Sequence, residues 1–146
     1  MELKTNEVLN YLLAHKDLKI IQRRDMFNFS LDTVLLANFA TITRDTQRII
    51  DLGTNNAAIP LLLSKRTKVP VLGIEIQEEA AELAQRNIAL NHLEDQITIV
   101  CDDMKSYARS HPKAAKLVIC NPPFFKIDEH SNLNDNEYLL SLIHIS

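Results

Sequence analysis

The sequence predicts an α/β fold on a parallel sheet, and three observations predict it. From Ile49 onward, short apolar runs alternate with helical patterns, as in a parallel sheet covered on both faces. The first run breaks at Asp51-Leu52-Gly53 and turns directly into an apolar helix, so backbone and helix N-terminus can approach a small ligand. Three strands of the series finish on acids, Asp51, Glu75 and Asp103, which gathers carboxylates on the sheet edge where open α/β folds bind ligands.

Ahead of the series, residues 6–15 place Val8, Leu9, Leu12 and Leu13 at helical spacing, with Asn6 positioned to cap. Leu18-Lys19-Ile20-Ile21 is rich in β-branched residues and predicts a short extended segment. Ser30 predicts the N-cap of a helix reaching about Ala40, and residues 43–47 are a polar break. In the series itself, strands are expected at residues 49–52, 69–76, 97–101 and 117–120. Helices are expected at 56–65, 77–91 and 103–110, with Pro112 stopping the last. The 77–91 helix has Glu78, Glu79 and Glu82 at its positive end and Ala80, Leu83, Ala84 and Ile88 on one face. No internal repeat or low-complexity segment interrupts the chain.

The chain has 146 residues, the length of one domain, and a formal charge of −3. That charge neither supports nor excludes an RNA partner. The only short basic groups, Arg23-Arg24 and Lys65-Arg66 with Lys68, read as solvated surface. No apolar run is long enough for a bilayer, and no membrane partner is expected. Cys101 and Cys120 lack metal-site spacing and read as buried thiols of a cytoplasmic protein; no metal is expected.

Glu75 follows Gly53 by about 20 residues, the interval of one helix and one strand, and there can accept from both hydroxyls of a ribose. Asp102 and Asp103 fit a ligand site, but also the capping acids common at strand-to-helix turns. Asn121-Pro122-Pro123-Phe124 is the most specific stretch. Two prolines remove backbone donors and stiffen the turn, so its carbonyls and the Asn121 side chain can accept from a planar amino group. Phe124 can stack on a flat ring.

Together, Asp51-Leu52-Gly53-Thr54 with Asn56, then Glu75, Asp103 and Asn121-Pro122-Pro123-Phe124, resemble the motifs of class I S-adenosylmethionine-dependent methyltransferases that act on exocyclic amino groups. Leu18-Lys19-Ile20-Ile21-Gln22, the run from Phe27 through Phe29 and Asp32 to Ala37, and the run from Phe124 to Tyr138 resemble the bacterial tRNA(Val) adenine-N6 methyltransferase group. The resemblance implies a Rossmann-like sheet and S-adenosyl-L-methionine as cofactor. It also implies tRNA as partner, with Phe27, Phe29 and Asp32 on the substrate side. By the same resemblance, Asp51 and the loop with Gly53, Thr54 and Asn56 hold the methionine end and Glu75 the ribose. Asp103, with the Met104 backbone alongside, holds the adenine. Asn121 and the Pro122 carbonyl grip the target amino group, Pro123 stiffens the turn, and Phe124 stacks on the target base. Catalysis is then mainly positioning.

Two departures from that pattern carry expectations. Asn55 and Ala57 stand where the family has glycine; at Asn55 that suggests positive φ or close ligand approach, at Ala57 the methyl group is expected to add bulk near the ligand, and together they predict weakened cofactor affinity. The resemblance stops after Tyr138, so the sheet is expected to be truncated after its fourth strand, leaving that strand as an exposed apolar edge. The expected organisation is an N-terminal helical, substrate-side extension over residues 1–45, a partial core over 46–138 and an aberrant or truncated tail over 139–146. Alternatives are a cofactor-binding but inactive fragment, or a methyltransferase for a guanine amino group or a glutamine amide. A dehydrogenase is disfavoured because the loop lacks Gly-x-Gly-x-x-Gly.

Overall fold

The computed structural model describes residues 2–12, 15–25, 31–113 and 115–120. Phe27, Phe29 and Asn121-Pro122-Pro123-Phe124 lie outside the described residues, as do Ser30 and the 139–146 tail. Asp32 is described only as a position in a helix.

The N-terminal segment corrects the first expectation. Residues 6–15 are not a helix: β1 (Glu7–Leu12) pairs antiparallel with β2 (His15–Arg23), from Glu7 opposite Arg23 to Leu12 opposite His15. Asn6 closes the base of this hairpin instead of capping a helix. Its carbonyl accepts from the Arg24 N–H at 3.0 Å and its side chain donates to Asp25 at 3.0 Å. Among the described residues, the extension is helical only in α1 (Leu31–Phe39), which carries exposed Leu31, Leu35 and Phe39 on one face.

The alternating series follows as β3 (Ile49–Leu52), α2 (Ala58–Leu63), β4 (Val71–Glu75), α3 (Glu78–Leu90), β5 (Ile97–Cys101), α4 (Met104–Ser110) and β6 (Leu117–Cys120). All pairings among the four strands are parallel, in the order β5-β4-β3-β6. Alternation along each strand feeds two apolar clusters. Ile49, Val71, Ile97, Ile99 and Ile119 pack with residues of β2 and helices α1 to α3, while Ile50, Leu52, Leu72 and Ile74 pack with Tyr107 and Ala108 of α4. β6 is an outer strand of the described sheet, and whatever borders its other edge falls outside the described residues.

Hairpin and core are joined chiefly through α3. The side-chain amides of Asn87 and Asn91, one helical turn apart, bond the backbone of Ile21 and Lys19, two residues apart on β2. A helical i, i+4 step thereby matches the i, i+2 step of a strand. Arg86 adds a two-pronged ion pair with Glu7, at 2.6 and 2.9 Å.

The surface departs from expectation in its thiols, while the basic groups lie at the surface as expected. Cys101 is exposed and Cys120 half-buried, because both close strands at the sheet's ligand-facing edge rather than in its interior. Arg23 bonds Asp25 and Glu79, the Lys65 ammonium meets Asp17, and Arg66 donates to the Ala37 carbonyl at 2.6 Å. These cations are tied up within the fold and form no continuous basic face. No described helix is long and apolar enough to cross a membrane.

Candidate cofactor site

The site is built where β3 passes to α2. Asp51 lies within β3, opposite Gly73 of β4 and Ile119 of β6, so it is flanked by strands on both sides. Gly53 (φ 66°) turns the chain, and its N–H and that of Thr54 donate to the Ile74 carbonyl at 2.8 and 3.0 Å. Thr54 folds onto Gly73, where an added Cβ would stand 2.9 Å from the Thr54 side chain and from Ile99. A side chain at Gly73 would therefore push Thr54 out of place, which explains one of the chain's two glycines.

Asn55 takes the expected backbone form, with φ 53°, and Ala57 also stands at positive φ, 71°. Ala57 is nevertheless not near the ligand in the way its bulk suggested: its methyl is fully buried in the cluster formed with α1 to α3. Its cost falls on the backbone, which adopts the left-handed conformation without glycine, at about 1–2 kcal/mol. Asn55, half-buried, is the replacement that stands at the site, and its N–H donates to Glu75 Oε1 at 3.0 Å. The second oxygen of Glu75 accepts from the Gln77 N–H at 3.0 Å. Glu75 is thus pinned between two backbone amides with lone pairs to spare for further donors.

Asp51 is electrostatically unusual. It is 1% exposed, and neither of its carboxylate oxygens nor the Thr54 hydroxyl has a hydrogen-bond partner. Burial pushes its carboxyl up to about 7; the nearby Thr54 hydroxyl favours the charged form, and the Glu75 carboxylate opposes it. Buried polar groups are normally paired, so the unpaired Asp51 carboxylate on β3 and the Thr54 hydroxyl in the loop beside it signal a missing partner. A ligand carrying an ammonium group supplies one. The donor and acceptor set present therefore fits the methionine end of S-adenosylmethionine.

Asp103 takes the capping role offered for it. It is the N-cap of α4, accepting from the Lys105 N–H at 3.0 Å, and Met104 opens the helix beside it. Asp102 holds the turn by accepting from the Asp103 N–H at 2.7 Å. Asp51, Gly53, Thr54, Asn56, Glu75, Asp103 and Met104 are all brought to the carboxyl ends of β3, β4 and β5. Asn56 turns its carbonyl toward α3, where Asn87 bonds it at 2.9 Å. Two contributors escaped sequence reasoning. Ile76, next to Glu75, stands 65% exposed at this edge of the sheet; an apolar residue immediately after a strand-ending acid was the available signal. Asn87 gave only the hint of an amide on the otherwise apolar face of α3.

Among the described residues, no group of three or more His, Cys, Asp or Glu side chains is placed to hold a metal ion.

Known proteins share the fold. The curated relatives include the tRNA1(Val) (adenine(37)-N6)-methyltransferases of Salmonella arizonae and Salmonella typhi, 36% and 35% identical over 97 residues. The match takes in 65% of this chain and 39% of each relative, so the chain spans well under half of their length. Among solved structures, Pyrococcus horikoshii TYW2 superposes with a TM-score of 0.70 at 16% identity, over 96% of this chain and 49% of that one. A SAM-dependent methyltransferase of Agrobacterium tumefaciens gives 0.65 at 17%, over 86% and 42%. At such identities the structures establish the fold alone, a Rossmann-like class I methyltransferase core. The "Methyltransferase small domain" family model matches residues 28–139, and the chain belongs to that family.

Proposed function

We propose that the protein binds S-adenosyl-L-methionine and, as part of a methyltransferase, directs methyl transfer to the exocyclic amino group of an adenine in tRNA. The observation that carries the cofactor reading is the orphaned, fully buried Asp51 carboxylate beside Thr54, in a loop pinned to Glu75. Asp51 and the loop with Gly53, Thr54 and Asn56 would hold the methionine end, and Glu75 the ribose hydroxyls. Asp103 and the Met104 backbone would hold the adenine, with Ile76 against its ring. The cofactor, when bound, supplies an electrophilic methyl group.

The chain's own contribution is positioning. Asn121 and the Pro122 carbonyl would accept from the target amino group, Pro123 would keep that turn stiff, and Phe124 would stack on the target base. Phe27, Phe29 and Asp32 are assigned to the substrate side. Support for adenine and tRNA comes from the Asn-Pro-Pro-Phe sequence and from the names of the Salmonella relatives. Arg23 and Lys65 are ion-paired and Arg66 bonds the Ala37 carbonyl, so the RNA reading does not draw on these three cations.

The test is transfer of labelled methyl groups from S-adenosylmethionine to bulk tRNA, with digestion to nucleosides. Label in N6-methyladenosine is expected. Label in a methylated guanosine, or only in glutamine of added protein, would move the target to one of the rival amino groups. Micromolar cofactor binding without transfer would identify the chain as a cofactor-binding portion that is inactive by itself.

A further inference from the structure

Asn87 has no exposed surface, and its side-chain amide makes three hydrogen bonds. Oδ1 accepts from the Ile21 N–H at 2.7 Å, and Nδ2 donates to the Ile21 carbonyl at 3.1 Å and the Asn56 carbonyl at 2.9 Å. One planar group thus touches α3, the hairpin and the loop between β3 and α2. Asn91 provides a natural contrast. It bonds Lys19 of β2 in the same two-pronged way, at 2.9 and 2.7 Å, but its third bond returns to its own helix at the Asn87 carbonyl.

The loop needs such support. Asn56 stands between Asn55 and Ala57, both non-glycine residues at positive φ, and Gly53 precedes them at φ 66°. A backbone held in disfavoured conformations persists where its surroundings over-determine it. From outside the loop, Asn56 is met by the Asn87 amide.

We propose that Asn87 is a positioning residue that couples the docking of the β1–β2 hairpin to the shape of the cofactor loop, through one side-chain amide shared by Ile21 and Asn56. The coupling runs both ways, as linkage requires: a ligand that orders the loop tightens the hairpin, and displacement of β2 loosens the loop. The effect on cofactor binding rests on the reading of this loop as the S-adenosylmethionine site; the effect on the loop itself does not.

The test compares Asn87→Ala and Asn91→Ala with the unchanged chain, by backbone hydrogen exchange at residues 53–57 without ligand and by calorimetric titration with S-adenosylmethionine. The loop amides of Gly53, Thr54, Asn55 and Ala57 are all hydrogen-bonded, so loosening registers as faster exchange. Asn87→Ala is expected to speed that exchange and to weaken cofactor binding, each by about tenfold or more, the loss of one well-placed hydrogen bond. Asn91→Ala should loosen β2 while leaving both loop readouts within about twofold. Should Asn87→Ala not fold, Asn87→Ser retains a hydroxyl that can serve one β2 group but is too short to reach Asn56 as well, and it should open the loop in the same direction. Unchanged loop exchange in the Asn87 variants, or equal opening in Asn91→Ala, overturns the coupling. An opened loop in a chain that never binds S-adenosylmethionine would instead keep the coupling and remove the cofactor reading.

Discussion

Asp51→Asn is expected to raise the melting temperature at pH 8 and to weaken S-adenosylmethionine binding in the same protein. The Asp51 carboxyl titrates near 7 in the folded chain, against 3.8 for an exposed aspartate, chiefly because burial penalises its charge. Between those values the folded state binds more protons than the unfolded one, so stability falls as pH rises from about 4 to about 7 and is level above. The charged form then costs up to about 4 kcal/mol at pH 8. The amide removes the ionisation, though it leaves its own N–H groups to be satisfied, so a gain of about 2–4 kcal/mol is expected. This corresponds to roughly 10 °C in melting temperature and disappears toward pH 4. Thermal melts of both chains from pH 4 to 8 measure it; parallel curves would show that this carboxylate is not the source of strain. Cofactor affinity should fall by about tenfold or more, since an amide cannot pair with an ammonium group as a carboxylate does.

The second large effect is at the hairpin. The Glu7 side chain is 2% exposed and its carboxylate is met by both terminal nitrogens of Arg86 and by the Lys4 N–H. The Arg86 hydrogen bond, offset by burial, holds the Glu7 carboxyl below its ordinary value. Arg86→Met strands that carboxylate, and removing one partner of a buried pair costs about 3–5 kcal/mol. Arg86 is itself partly solvated, so a loss of about 3 kcal/mol is expected, read by urea unfolding at pH 7. Because the folded value of Glu7 is depressed, this stabilisation is present above about pH 4.5 and is lost as pH falls through the folded value. Arg86→Met should therefore converge with the unchanged chain in acid. A loss under about 1 kcal/mol at pH 7 would mean that water, not Arg86, satisfies Glu7.

The alternating part of the fold is legible because each of its elements advertises itself locally. Ile97–Cys101 and Leu117–Cys120 are bounded in sequence as they are in space. Of the hairpin, the extended segment at residues 18–21 was legible and the first strand was not. Val8, Leu9 and Leu12 satisfy a helical period, but Leu9 is exposed, Leu12 is buried in the core and the acid Glu7 is buried too. That pattern follows from pairing with β2 and docking on α3, which local spacing cannot register. In the site, the types and order of Asp51, Glu75 and Asp103 indicated a ligand edge. The burial of Ala57 in the core and the reach of Asn87 depend on residues far along the chain, and no motif encodes them.

The strand order has a temporal consequence. β4 can add to β3, and β5 to β4, as each unit leaves the ribosome, but β3 must wait for β6, the last described strand, before its second edge is paired. The Asp51 backbone sits on both ladders, so the site is completed by the slowest contact in the sheet. Pulse-labelling during refolding should accordingly find β4 and β5 amides protected ahead of those that join β3 to β6; simultaneous protection would mean that the sheet closes in one step.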